Sequence, residues 1–78
     1  MTPTRVCITE EAGRIYIRIT GPHRDALARS LMREFPGHRQ LYFSHAHDRF
    51  RIWGWYRARL AAWLEATCEA AWIAWEGR

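Results

Sequence analysis

The sequence predicts an α+β domain of order ββαββα, a four-stranded, mainly antiparallel sheet with two helices packed on one face. Three observations lead there. Apolar and polar residues alternate with period two from Arg5 to Thr9, Arg14 to Thr20, Arg39 to Ser44 and Arg49 to Trp53, as half-buried strands require. Between positions 23 and 35, apolar residues recur at helical spacing. From Trp55 to Glu76 the chain holds no Pro or Gly and is rich in Ala, Leu, Arg and Glu, a strong helix composition.

Taken in order, the first two strands place Val6, Ile8, Ile15, Ile17 and Ile19 on one face, with Glu10, Glu11, Ala12 and Gly13 as the turn between them. Gly21-Pro22 ends the second strand and opens a helix, since Pro at the first helical position gives up an N–H that lacks a partner anyway. Leu27, Ala28, Leu31, Met32 and Phe35 form its buried stripe, Asp25 and Arg29 are an i,i+4 pair in the favourable order, and Phe35-Pro36-Gly37 stops it. The third and fourth strands put Leu41, Phe43, Phe50 and Ile52 on one face, joined by a turn at His45-Ala46-His47-Asp48 that Asp48 is expected to initiate. On a helical wheel the last segment gathers Leu60, Trp63, Leu64, Thr67, Cys68, Ala71 and Trp75 into a core arc, with Glu65, Glu69 and Glu76 on the far side. Trp72 and Ile73 flank that acidic stripe and are expected to be exposed.

Seventy-eight residues make one domain, without the bulk to wall a deep catalytic cleft. A core of this size supports a stability of about 4–10 kcal/mol, and five Trp, three Tyr and three Phe supply much of it. The formal net charge of +4 and the pI near 9.8 favour an acidic partner. All twelve basic residues are Arg, and Lys and Asn are absent, the mark of a GC-rich coding sequence. Exposed positive charge is therefore carried by planar, bidentate, stacking-competent groups. Cys7 and Cys68 fall in different elements on different sides of the sheet, so no disulfide is expected, and no apolar run resembles a signal peptide or a membrane span. A reducing, cytoplasmic setting follows as the expectation.

If the apolar strand residues face the helices, alternation turns Arg5, Arg14, Tyr16, Arg18, Gln40, Tyr42, Ser44, Arg49, Arg51 and Trp53 to the opposite face, a set without an acid. Arg with Tyr and Trp on an open sheet supplies phosphate contacts and stacking platforms together, the pairing that single-strand nucleic-acid binders use. Arg57 and Arg59, just past the last strand, extend the positive edge. In the last helix, basic residues near the start and Glu69 and Glu76 near the end oppose the helix macrodipole, which suggests a basic contact face separated from an acidic one. Glu65, Glu69, Trp72 and Ile73 are the candidates for this second interface, including a homodimer seam between last helices.

Catalytic signatures are weak. His45-Ala46-His47-Asp48 superficially suits a zinc ligand set, but it departs from the His-x-His-x-Asp-His pattern of metallo-hydrolases, since Asp48 comes one position early and Arg49 follows it where the last His should be. Cys68 lies on the core arc, where a thiol is inert filler. No Gly-rich phosphate loop and no convergent carboxylate pair are present. Neither enzymatic activity, nor a cofactor, nor a resident metal is expected.

From Arg14 to about Ala66 the order of elements, with Ile15-Tyr16-Ile17, Leu27, Leu31, Phe35-Pro36-Gly37-His38-Arg39 and Arg49-Phe50-Arg51-Ile52-Trp53, resembles the small HepA-related (HARP) domain found beside annealing helicases and in short bacterial proteins. The resemblance implies contact with branched or single-stranded DNA. The leading expectation is a small binding protein that engages nucleic acid or a nucleoprotein complex through the basic-aromatic face. The alternative is an inhibitor encoded by a phage or mobile element, anti-CRISPR-like, that blocks a host nucleic-acid machine by protein contact.

Overall fold

The computed structural model describes residues 2–76 and has an α+β architecture: a five-stranded sheet and two α-helices. The strands are β1 (Arg5–Glu11), β2 (Arg14–Thr20), β3 (Leu41–Ser44), β4 (Arg49–Trp53) and β5 (Ile73–Glu76), and the helices are α1 (Arg24–Glu34) and α2 (Arg57–Thr67). Their order across the sheet is β3-β4-β2-β1-β5. β1–β2, β2–β4 and β3–β4 run antiparallel, while β5 runs parallel to β1.

The first hairpin is tighter than the sequence suggests. Glu11 pairs directly with Arg14, leaving a turn of Ala12 and Gly13 alone, with φ of 52° and 76°. Positive φ at both central residues matches the right-handed strand twist. Pairing extends through Glu10 and Glu11 because backbone hydrogen bonding continues to the turn whatever the side chains, a gain that apolar alternation cannot register. Gly21, with φ of +101°, then packs so closely on the N-terminal segment that a Cβ would lie 2.6 Å from the Thr4 Cα. Only glycine fits both the conformation and the space.

α1 begins at Arg24, beyond Pro22, and its Asp25 lies 3.8 Å from Arg24 rather than pairing with Arg29. Leu27 and Leu31 are buried, Ala28 packs against the core and Met32 is exposed. β3 starts at Leu41, because residues 38–40 turn back on Gly37 through the Gln40 and Leu41 N–H groups, which donate to its carbonyl. Gln40 is thus a turn residue and not part of a sheet face. Asp48 closes the β3–β4 turn instead of opening it, with φ of 50°.

The largest departure is in the last third. The chain makes a short 3-10 turn at Gly54–Tyr56, α2 stops at Thr67, and Cys68 and Glu69 are extended, with ψ of 147° and 142°. A second 3-10 turn, Ala70–Trp72, leads into β5. The core arc accordingly runs through Leu60, Trp63, Leu64 and Cys68 and no further, and Thr67, Ala71 and Trp75 are exposed. Trp-Ile-Ala-Trp is itself rich in strand formers. What turns that weak preference into a strand is the outer edge of β1, whose backbone groups need partners. β5 supplies them, and its Ile73 pairs beside Val6, which is fully buried.

One core cluster joins both helices to one sheet face: Val6, Ile8, Ile15, Ile17, Ile19, Leu41, Phe50 and Ile52 from strands, with Leu27, Leu31, Phe35, Leu60, Trp63 and Leu64 against them. The indole N–H of Trp63 donates to Ser30 Oγ at 3.0 Å, tying α2 to α1 and satisfying a buried donor. Trp72 and Ile73 also pack against this cluster, and Trp72 stacks on His23 at 5.0 Å. They do not form the exposed apolar flank of a long helix. Among the described residues, no helix is long and apolar enough to cross a membrane.

Candidate nucleic-acid interface

The second sheet face is open, and register decides what it shows. Side chains paired across antiparallel strands share a face, so three rows cross it. Glu11, Arg14 and Trp53 form the row at the hairpin end; Thr9, Tyr16, Arg51 and Tyr42 form the middle row; and Cys7 with Arg18 lies beyond. Arg49, opposite Ser44, completes the set. Arg5, Arg14, Tyr16, Arg18, Tyr42, Ser44, Arg49, Arg51 and Trp53 therefore lie together, as the alternation predicts. The face is not free of acid. Glu11 belongs to it because β1 continues past Thr9, and Glu76 joins it because β5 pairs Glu76 with Thr9.

Tyr16, Tyr42 and Trp53 each have a guanidinium over the ring. Arg49 Cζ lies 4.0 Å from the Tyr16 ring centroid, Arg51 5.0 Å from that of Tyr42, and Arg14 5.4 Å from that of Trp53. Such pairs hold long arginine side chains in place while leaving their charge intact. Among the described residues, Arg14, Arg49 and Arg51 form no carboxylate ion pair. A shallow cleft of about 200 Å³ lies between Cys7, Thr9, Tyr16, Arg18, Arg49 and Glu76.

Arg18 has a more structural position. Its Nη2 donates to the His47 carbonyl at 2.6 Å and its Nε to the Asp48 carbonyl at 3.4 Å, which pins the β3–β4 turn. In that turn Asp48 accepts from Arg24 Nη2 at 2.6 Å, and His45 sits edge-on to Phe43 at 4.8 Å. No three His, Cys, Asp or Glu side chains gather around a metal-sized site among the described residues.

Arg57 and Arg59 do not extend the positive edge. Arg57 Nε lies 2.8 Å from Glu10 Oε1, and Arg59 Nε 3.0 Å from Glu34 Oε2, on the helix-covered side. Arg59 also donates to the Glu34 carbonyl and to Gln40, and the two guanidiniums lie over Trp75 and Phe35. Both charges are paired with carboxylates on that side. The expected opposition to the helix macrodipole loses two of its members, since α2 ends before Glu69 and Glu76; Glu65 remains near its end, and the two arginines of its first turn are paired with carboxylates. Glu65 and Glu69 are exposed, whereas Trp72 and Ile73 are partly buried and pack against the core.

Sequence reasoning passed over Trp55, which reads as the first residue of a helix. In the structure it sits in the 3-10 turn, 72% exposed, stacked on Trp53 with ring centroids 5.1 Å apart and planes 6° from parallel. Gly54 makes this possible. Its N–H donates to the Gly13 carbonyl at 2.8 Å, and a Cβ there would lie 2.8 Å from the same oxygen. The Trp-Gly-Trp spacing, with a glycine between aromatics at a strand end, was the available signal.

No protein-family model, curated protein or solved structure matches this chain.

Proposed function

We propose that this domain is a small non-enzymatic binding protein that engages nucleic acid, or a nucleoprotein complex, through its open sheet face. The observation that carries the reading is the set of three arginines, Arg14, Arg49 and Arg51, each laid on an aromatic ring and none paired with a carboxylate among the described residues. Charges held in place by stacking lose little further freedom on binding phosphate. Guanidinium planes also offer stacking surfaces to bases. Arg18 adds positive potential while holding the adjacent turn. The resemblance of Arg14 to Ala66 to the HARP domain belongs to this proposal and agrees with a DNA partner.

The test is a titration of fluorescently labelled single- and double-stranded oligonucleotides across a salt series. Phosphate contacts predict a steep loss of affinity with salt, reduced in slope by Arg14→Gln and Arg51→Gln. Absence of binding at low salt would reject the reading. It would turn attention to the second one, an inhibitor of a host nucleic-acid machine, anti-CRISPR-like, that docks by protein contact. The same arginine-on-aromatic pairs favour it, since rigid Arg, Tyr and Trp anchors dominate protein-interface energetics.

A further inference from the structure

The aromatic rings of the open face differ in one respect. Tyr16, Tyr42 and Trp53 each carry an arginine. Trp55 is stacked on Trp53, has Tyr56 tilted beside it at 6.0 Å, and carries no cation over its ring among the described residues. A tryptophan 72% exposed at the edge of a well-packed sheet keeps a large apolar plane in water. It is also rigidly mounted, because the stack on Trp53 and the Gly54–Gly13 hydrogen bond fix the turn that carries it.

Trp53 carries Arg14, and the row containing Arg51 lies next along the strands. A ligand that fits must therefore present a flat π-face and carry negative charge along its length towards Arg14 and Arg51. A nucleotide within a chain has both. A base locked in a duplex does not, because its faces are covered by its neighbours except at the ends.

We infer that Trp55, backed by Trp53, is a stacking site for one unpaired nucleobase of a single-stranded nucleic acid. This rests on the reading of the open face as a nucleic-acid interface and names the ligand class it takes. The stack adds to the phosphate contacts of Arg14 and Arg51 and gives the face its preference for single strands over duplex.

The experiment uses the full chain, a short single-stranded thymidine oligomer, the same oligomer with abasic sites, and a blunt duplex of equal length. Trp55→Ala is expected to weaken binding of the intact oligomer by about five- to 150-fold, the range of one aromatic–base stack. It should reduce the tryptophan fluorescence quenching that accompanies binding, and leave the abasic and duplex affinities unchanged. Trp55→Tyr, which keeps a ring, should recover most of the loss. The side chain is solvent-exposed, so circular dichroism of both variants should match the parent.

Full affinity of Trp55→Ala for the intact oligomer, or an equal loss for the abasic one, overturns the inference while leaving the basic face as the binding surface. Failure of the parent protein to bind any oligomer at low salt overturns both, and is distinguished by preceding any effect of the variant.

Discussion

Arg49 lies over the ring of Tyr16 at 4.0 Å, the closest of the cation–π contacts among the described residues, and links β4 to the neighbouring strand β2. The contact is partly exposed, so its contribution to stability is modest, about 0.5–1 kcal/mol. Its main effect is to hold a charge at a defined height above the sheet.

Arg49→Gln is therefore expected to lower thermal stability only slightly, while weakening oligonucleotide binding and reducing the slope of log affinity against log salt by about one. Parallel thermal melts and salt-series titrations check both halves.

The two arginines of α2 predict the opposite pattern. Arg57→Gln breaks the contact with Glu10, a surface pair worth roughly 0–1 kcal/mol. It should leave oligonucleotide affinity within about twofold of the parent, an interaction change below roughly 0.5 kcal/mol. Arg51→Gln in the same assay should reduce affinity several times more. Equal losses from both variants would place Arg57 in the interface after all.

Ile73 separates a long final helix from the observed strand. On an exposed helix flank, Ile73→Asp would be nearly silent. Packed against the core beside Val6, it should cost about 2–3 kcal/mol, lowering the melting temperature by roughly 10–20 °C for a domain of this size.

Gly21→Ala places a Cβ 2.6 Å from the Thr4 Cα and a side chain at a φ of +101°. Backbone must shift at Gly21 or in the Pro3–Thr4 segment, so a loss of about 2 kcal/mol or more is expected in urea unfolding. Binding per folded molecule should be unchanged, since Gly21 lies away from the aromatic rows.

The two cysteines should differ in reactivity. Burial pushes the Cys68 thiol up, whereas Cys7 is half-exposed on the open face. Alkylation of the native protein should modify Cys7 first and reach Cys68 only on unfolding. Because the folded Cys68 thiol holds its proton at a pH where the unfolded one has lost it, stability should fall as pH rises above the ordinary thiol range, roughly 8.5. Cys68→Ala should flatten that decline in pH-dependent melts.

The α+β class, four of the five strands, α1 to within a residue at its ends, and the buried face of each of those strands were legible in the amino-acid sequence. These are local properties: a period-two pattern has a single buried face, and Phe35-Pro36-Gly37 stops a helix whatever surrounds it. The gathering of Arg14, Tyr16, Arg49, Arg51, Tyr42 and Trp53 was legible for the same reason. Tertiary structure alone decided the rest. Ile73 to Glu76 continues a Pro- and Gly-free run of helix composition, and the unpaired edge of β1 turns its weak strand preference into a strand, bringing Glu76 onto the open face and packing Ile73 against the core. Arg57 and Arg59 are indistinguishable from binding arginines until Glu10 and Glu34, distant in the chain, are folded against them. Trp55 becomes an exposed platform only because Gly54 can approach Gly13 closely enough to turn the chain there. Each of these depends on a partner far away in sequence, and a periodic pattern carries no information about which distant groups will meet.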